Sequence, residues 1–315
     1  MDIITEIQKI KPKLAQSTLN KYASNLRSVH RIVLGDPKYE NLDLLKDYEK
    51  VLKALKDTKL RTKKTYLTAI CVAVQTMEPV DYDLLDHYRK ALFHLHDDLK
   101  KILDTGKKTE SQEKNWIEWN EILKIHKKLQ QDAQYCAKNI GTRLNFEVVQ
   151  WYVLLSVYVE HTLRNDFVMK IIKRKDYDEM DKDEREKQNY LILEPRRQKS
   201  FQLNQFKTRK FYKSSPNFKI SKNLNSILNK WFKINKTDFL FVDARDKKTP
   251  IDSAWITNQL LRLFERYAGK KVSTSLLRHS KITFLRKGER TKKQEQELAY
   301  QFLHSSGMSK EYMKV

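Results

Sequence analysis

Apolar positions recur at helical spacing along most of the 315-residue chain and at strand spacing in one stretch of the second half. Leu19, Tyr22, Leu26, Val29 and Val33 fall on one helical face, with Ser17-Thr18 as the expected cap and Gly35-Asp36-Pro37 as the stop. Amphipathic helices are expected to follow over 42–56, 61–77 and 81–104. The middle one, through Tyr66, Leu67, Ile70, Val72 and Val74, is apolar enough to be central. Residues 1–104 thus read as one helical domain. Polar, unpatterned Asp104-Thr105-Gly106-Lys107-Lys108-Thr109 marks the boundary, giving a linker over 105–111 and a second domain over 112–315.

Trp116 and Trp119 open a second helical series, expected over 117–137, 145–162 and 164–174. The period then shortens to two. Residues 190–193, 200–206 and 217–220 read as short strands, separated by Pro195-Arg196-Arg197-Gln198 and Ser214-Ser215-Pro216. Helices resume at 222–233 and 253–268, and 275–315 reads as helical with breaks. The expected class is mainly α, with a small antiparallel β-sheet in the second domain. The most apolar stretch, 146–163, is interrupted by Glu147, Gln150, Glu160 and His161, which fits a buried helix rather than a membrane span.

Charge changes the picture. Lys and Arg number 63 against 40 acids, a formal +23, which attracts a polyanion; nucleic acid comes first and an anionic membrane surface second. Lys59, Arg61, Lys63 and Lys64 cluster in the first domain, and Arg209 and Lys210 in the second. Each cluster reads equally as a solvated face. Cys71 and Cys136 lack CxxC spacing, which argues against a disulfide framework or zinc site and suits a reducing compartment. The opening Met1-Asp2-Ile3-Ile4 has no basic region followed by an apolar core, so no signal peptide is expected.

Four pieces of the second half stand out. They are Thr162-Leu163-Arg164-Asn165-Asp166, Phe206-Lys207-Thr208-Arg209-Lys210, Leu276-Leu277-Arg278-His279-Ser280-Lys281-Ile282-Thr283, and Phe302-Leu303-His304-Ser305-Ser306, followed by Tyr312. Singly, each has an ordinary account: a helix-end arginine, a basic surface, a basic helix start, a buried histidine, an aromatic near the chain end. In this order they resemble the active-site string of the tyrosine recombinases, the integrase family of phages and mobile elements. The resemblance covers about Gln112 to the C-terminus. Ser17-Thr18-Leu19-x-x-Tyr22-x-x-x-Leu26 adds a weaker likeness to the opening helix of the family's SAM-like core-binding domain.

The resemblance implies a helical core-binding domain, an α+β catalytic domain, and cleavage of double-stranded DNA through a 3′-phosphotyrosine without metal or other cofactor. Tyr312 is then the nucleophile, Arg164 and Arg278 the phosphate clamp, His304 a further donor or proton acceptor, and Lys207 the acid for the leaving 5′-oxygen. Lys210 is the alternative to Lys207. Arg61, Lys63, Lys64, Arg209 and Lys210 are the expected DNA-binding residues. The family further implies a homotetramer on DNA, no membrane association, and an intracellular protein of a virus or mobile element.

The chain departs from the pattern in four places. Ser275 stands where the family usually has His or Lys, and serine cannot act as a cationic acid. Asp166 and Phe167 shift the usual acidic residue by one, the His304–Tyr312 spacing is one residue short, and only Met313, Lys314 and Val315 follow the tyrosine. A type IB topoisomerase shares the chemistry, but the helical first half favours the recombinase. A non-catalytic DNA-binding protein on the same fold is the third reading.

Overall fold

The computed structural model describes residues 3–35, 42–287, 290–304 and 312–314, and the chain divides into two units, Met1–Thr105 and Gly106–Val315. The first unit holds α1 (Ile3–Ile10), α2 (Gln16–Leu34), α3 (Tyr48–Ala54), α4 (Leu60–Val74) and α5 (Tyr82–Asp104). Its core gathers Ile7, Leu19, Leu26, Val29, Leu67, Ile70 and Tyr88 around α4, whose second half is buried on nearly every side. Buried Tyr88 donates its hydroxyl to the Leu45 carbonyl at 2.8 Å, joining α5 to the segment before α3.

Two local expectations fail here. The helix expected over 42–56 is broken, because Asp47 accepts a bond from the Lys50 amide at 3.0 Å and caps α3, leaving only a 3₁₀ turn over Asp43–Lys46. Ser17-Thr18 do not cap α2; it starts at Gln16 after an extended Ala15. Gly35 ends α2 in the left-handed region at φ 75°, donating to the Arg31 carbonyl, whereas Asp36 and Pro37 lie outside the described residues.

The second unit is built on α6 (Glu110–Asn115), α7 (Trp119–Lys138) and α8 (Arg143–Glu160), with α9 (Arg174–Glu179) and α10 (Lys182–Arg185) in a connection. Helices α11 (Lys222–Ile234), α12 (Ser253–Ala268), α13 (Thr274–Leu285) and α14 (Lys292–Gln301) complete it. Helix α8 forms its centre and is buried from Phe146 to Tyr158 except at half-buried Tyr152. Its polar residues are satisfied within the core. Gln150 exchanges two 3.0 Å bonds with the Val242 backbone, Trp151 donates to Gln259 of α12 at 2.7 Å, and Arg262 of α12 forks onto the Glu147 carboxylate. These pairings explain how polar residues interrupt so apolar a helix.

The sheet has the order β1 (Met169–Lys173), β2 (Asn189–Leu193), β3 (Lys199–Gln202), β4 (Asn217–Lys219). β1 runs parallel to β2 and the other pairs are antiparallel, so the sheet is mixed rather than wholly antiparallel. The helix expected over 164–174 is absent. The Asp166 carboxylate takes the Arg164 amide, and Met169–Lys173 pairs with β2 on one side and with residues 238–240 on the other. Long-range pairing on both edges thus outweighs a helical pattern in an Ile-Ile segment that suits a strand. β3 is shorter than the expected 200–206, placing Lys207 in the turn beyond it. Among the described residues, no helix is long and apolar enough to cross a membrane.

Candidate active site

Helix α8 ends under two cations of α13. Lys281 donates to the Val159 and Glu160 carbonyls at 2.8 and 3.1 Å, and Arg278, one turn earlier, donates from Nη1 to the Thr162 carbonyl at 2.5 Å. These bonds take up carbonyls that a helix end leaves open. Beyond them the Tyr158 hydroxyl holds the Arg164 carbonyl at 2.7 Å, fixing where the first arginine emerges. Next to it, Asn165 donates to the Ser253 carbonyl and the Thr257 hydroxyl and accepts from Thr274, tying the starts of α12 and α13 together.

Arg278 is 1% exposed and makes two further bonds, from Nη2 to the Phe302 carbonyl at 2.8 Å and to His304 Nε2 at 2.5 Å. Guanidinium has no acceptor, so Nε2 of His304 accepts and its ring proton sits on Nδ1. Burial, then the charges of Arg278 and Arg164, push the imidazole down to about 3, which keeps it neutral. Burial and the Arg164 charge lower Arg278 itself to about 10, still protonated at neutral pH. The turn presenting His304 is strained. Leu303 adopts φ 53°, where glycine is usual, and the His304 amide reaches back to the Ala299 carbonyl at 2.9 Å to close α14.

Lys207 lies exposed in the β3–β4 connection. Thr208 donates its hydroxyl to the Leu303 carbonyl at 3.0 Å, tying the lysine turn to the residue before His304. Asn189, at the head of β2, donates to the Asp166 and Gln205 carbonyls and accepts from the Asn204 and Gln205 amides. One buried amide therefore joins the Arg164 and Lys207 segments.

Tyr312 closes the assembly. Its ring lies 4.4 Å from that of His279 and 4.5 Å from that of His304, and the Arg278 guanidinium sits over the ring at 5.6 Å. Arg164, Asp166, Lys207, Ser275, Arg278 and Tyr312 line one cavity of about 560 Å³. Burial raises the Asp166 carboxyl against the opposing pull of Arg278 and Arg164. Among the described residues, three buried donor atoms of this cluster have no hydrogen-bond partner: Arg164 Nη1, Arg278 Nε and His304 Nδ1. An unmatched buried donor costs about 1–3 kcal/mol, so three in one cluster, two of them on arginines that line the cavity, suit a multivalent acceptor.

No family model and no curated protein matches the chain. Among solved structures, XerH site-specific recombinase bound to palindromic difH substrate, in a post-cleavage complex, aligns over 94% of this chain and 75% of its own at 14% identity, with a TM-score of 0.54. Its pre-cleavage complex with difH aligns over 98% and 81% at 14% identity, with a TM-score of 0.53. XerA recombinase aligns over 99% and 93%, at 14% identity and a TM-score of 0.40. The chain has the tyrosine-recombinase fold.

Within that fold, the residues singled out in the sequence do not all meet. Arg164, Lys207, Arg278 and Tyr312 share the cavity, and His304 is bonded to Arg278 beside it. Ser275 also lines it, exposed at the start of α13. Lys210 and Arg209 do not line it; Lys210 stacks over the exposed Phe211 ring, and Arg209 donates to the Tyr212 carbonyl. Arg61, Lys63 and Lys64 belong to the other unit, in the first turn of α4. Ser305 and Ser306 lie outside the described residues. Asn165, Asn189, Thr208, His279 and Lys281 were not anticipated as supports. Four of them had a visible signal, their place within the singled-out pieces around Arg164, Lys207 and Arg278; Asn189 had none. All five act through bonds to segments remote in sequence, which the local pattern does not show.

The buried amine of Lys281 has a consequence for stability. Burial lowers it from 10.5 to about 7. Between those values the unfolded chain holds a proton that the folded chain lacks, so this group makes stability rise with pH across that window. The slope for one proton is about 1.4 kcal/mol per pH unit. Urea unfolding of wild type and Lys281→Met from pH 7 to 9.5 should show wild type gaining on the variant as pH rises; parallel curves would contradict it. His304 acts in the same sense below 6.5, where acidification towards 3 erodes stability.

Proposed function

We propose that this chain cuts and rejoins DNA strands as a site-specific recombinase, through a covalent bond between Tyr312 and a 3′-phosphate. The observation that carries the reading is a cavity lined by Arg164 and Arg278, each with an unpartnered buried donor, together with an exposed lysine and Tyr312, with His304 bonded to Arg278 beside it. A phosphodiester supplies non-bridging oxygens for Arg164 and Arg278, whose fixed forks match phosphate and stay charged. The transition state carries more charge on those oxygens than the substrate does, so preorganised guanidiniums favour it selectively. The Nδ1–H of His304 adds a neutral donor. Because Arg278 occupies Nε2, His304 has no free lone pair with which to take the tyrosine proton.

The Tyr312 oxygen attacks phosphorus as its proton passes to solvent water, the P–O5′ bond breaks, and the 5′-oxygen leaves with a proton from Lys207. Rejoining reverses each step, so the phosphotyrosine conserves the bond. The first unit is proposed to grip the duplex with the start of α4. That helix has no side-chain cap and no acid in its first turn, while Arg61, Lys63 and Lys64 reinforce the positive end of its dipole. Arg209 and Lys210 add phosphate contacts near the cleavage site. Pairs of protomers on a DNA-bound homotetramer would exchange strands between two sites.

The test is covalent capture. A duplex selected for binding from a random-sequence pool, incubated with the protein in EDTA, should yield a protein–DNA adduct resistant to detergent and sensitive to protease. Absence of an adduct on every selected duplex would leave a DNA-binding protein on this fold. Lys207→Ala should slow cleavage of ordinary DNA by about 10²–10⁴-fold, yet cleave a 5′-bridging phosphorothiolate at close to the wild-type rate, since that leaving group needs no proton. Equal slowing on both substrates would remove Lys207 from the acid role.

A further inference from the structure

Helix α13 presents Arg278 to the cavity and, around its circumference, His279 and Thr283, spaced four residues apart on one face. Neither of these two side chains has a part in the reaction described above. We propose that His279 and Thr283 form a clamp that positions the Tyr312 phenol for attack, an inference that rests on the strand-transfer reading.

The clamp holds the chain at two backbone points. His279 Nδ1 donates to the Tyr312 carbonyl at 2.7 Å, and Thr283 Oγ1 accepts from the Lys314 amide at 2.9 Å. The carbonyl of the nucleophile residue and the amide two residues later are thus fastened to one rigid helix. Once that backbone is fixed, a tyrosine keeps only two torsions before its hydroxyl. Those are limited by packing: the ring is stacked on His279 with 21° between planes, and His304 lies 4.5 Å away on a tilted plane. The ring then lies under the guanidinium of Arg278, one position before His279 on the same helix, with 5.6 Å from guanidinium to ring centroid.

One helix therefore carries both the charge that receives the phosphate and the bonds that place the attacking oxygen. His279 and Thr283 are positioning residues: neither is required to touch the phosphate, and their effect passes through the reach and angle of Tyr312. A displacement of about 1 Å in such a geometry lowers rates by about 10²-fold.

The experiment uses the full chain and a duplex with a 5′-bridging phosphorothiolate at the cleavage position mapped from the wild-type adduct. His279→Phe keeps a stacking ring but loses the donor, His279→Asn restores an N–H donor, and Thr283→Val removes the acceptor at nearly constant volume. Lys314→Pro removes the amide donor without touching α13. His279→Phe, Thr283→Val and Lys314→Pro should each cleave about 10–100-fold more slowly than wild type on both ordinary and phosphorothiolate DNA, with DNA affinity unchanged and His279→Asn intermediate. Persistence of the defect on the phosphorothiolate separates it from loss of the proton donor, and the unchanged affinity separates it from a general loss of DNA binding. Wild-type rates in all three, or a defect erased by the phosphorothiolate, would overturn the clamp while the wild-type adduct still stands. Failure of wild type to form any adduct overturns the strand-transfer reading, and the clamp with it.

Discussion

Tyr312→Phe should leave the protein folded and bound to DNA but unable to form a covalent adduct. The substitution removes one oxygen from a ring whose packing on His279 and His304 does not depend on it. On the proposed reading, binding rests on lysine and arginine contacts to phosphates and should keep a steep salt dependence. Adduct formation should fall by at least about 10⁴-fold, because the attacking atom itself is missing. Denaturing gels of trapped complexes, read beside filter binding at two salt concentrations, separate the effects. An adduct that survives would place the nucleophile elsewhere, and Ser275, whose residue lines the same cavity, is the first hydroxyl to examine.

Arg278 should show the largest combined effect on folding and chemistry. Arg278→Ala strips donors from the Thr162 and Phe302 carbonyls and from His304 Nε2, in a site where the arginine is 1% exposed. At about 1–3 kcal/mol for each buried acceptor left unmatched, the loss amounts to several kcal/mol, a large share of the 5–15 kcal/mol that usually separates folded from unfolded chains. Arg278→Lys keeps the charge but not the planar fork. It should fold with a lowered Tm and lose adduct formation by about 10²–10³-fold, as when one preorganised donor is withdrawn from an oxyanion. Inorganic phosphate should raise the Tm of wild type more than that of Arg278→Lys, because a ligand stabilises only as far as it prefers the folded site. If Arg278→Lys forms adduct at the wild-type rate, the second arm of the clamp must be sought elsewhere.

The two substitutions expose a conflict within the site. Arg278 binds the surrounding backbone, yet its Nε stays unpartnered, and burial followed by the charge of Arg164 lowers its affinity for its own proton. Leu303 carries a backbone conformation that an L-residue resists. Such features persist where the surrounding packing fixes them, and here they surround one cavity.

Much of the helical framework was legible because one face of each helix is apolar over many residues. The pattern around Leu19, Leu26 and Val29 becomes α2, and the most apolar stretch becomes the buried α8. The sheet was harder to read. A five-residue strand such as Met169–Lys173 has too few positions to declare its period, and its pairing partners lie at 189–193 and 238–240. The break in 42–56 went unseen because one carboxylate, Asp47, decides it through a single bond to the Lys50 amide.

By itself the sequence determined the residue types: which arginines, lysine, histidine and phenol are available, in what order, on a chain of net charge +23. Side-chain chemistry and helical period are local properties, so they can be read along a line. Only the tertiary structure decided that Arg164, Lys207, Arg278 and Tyr312 line one cavity, and that Lys207 rather than Lys210 does so. It also decided that His304 is neutral and already bonded to Arg278, and that His279 and Thr283 hold the Tyr312 segment. Those outcomes depend on burial and on bonds across tens of residues, such as Thr208 to Leu303 and Arg278 to Thr162. No pattern of neighbours along the chain carries that information.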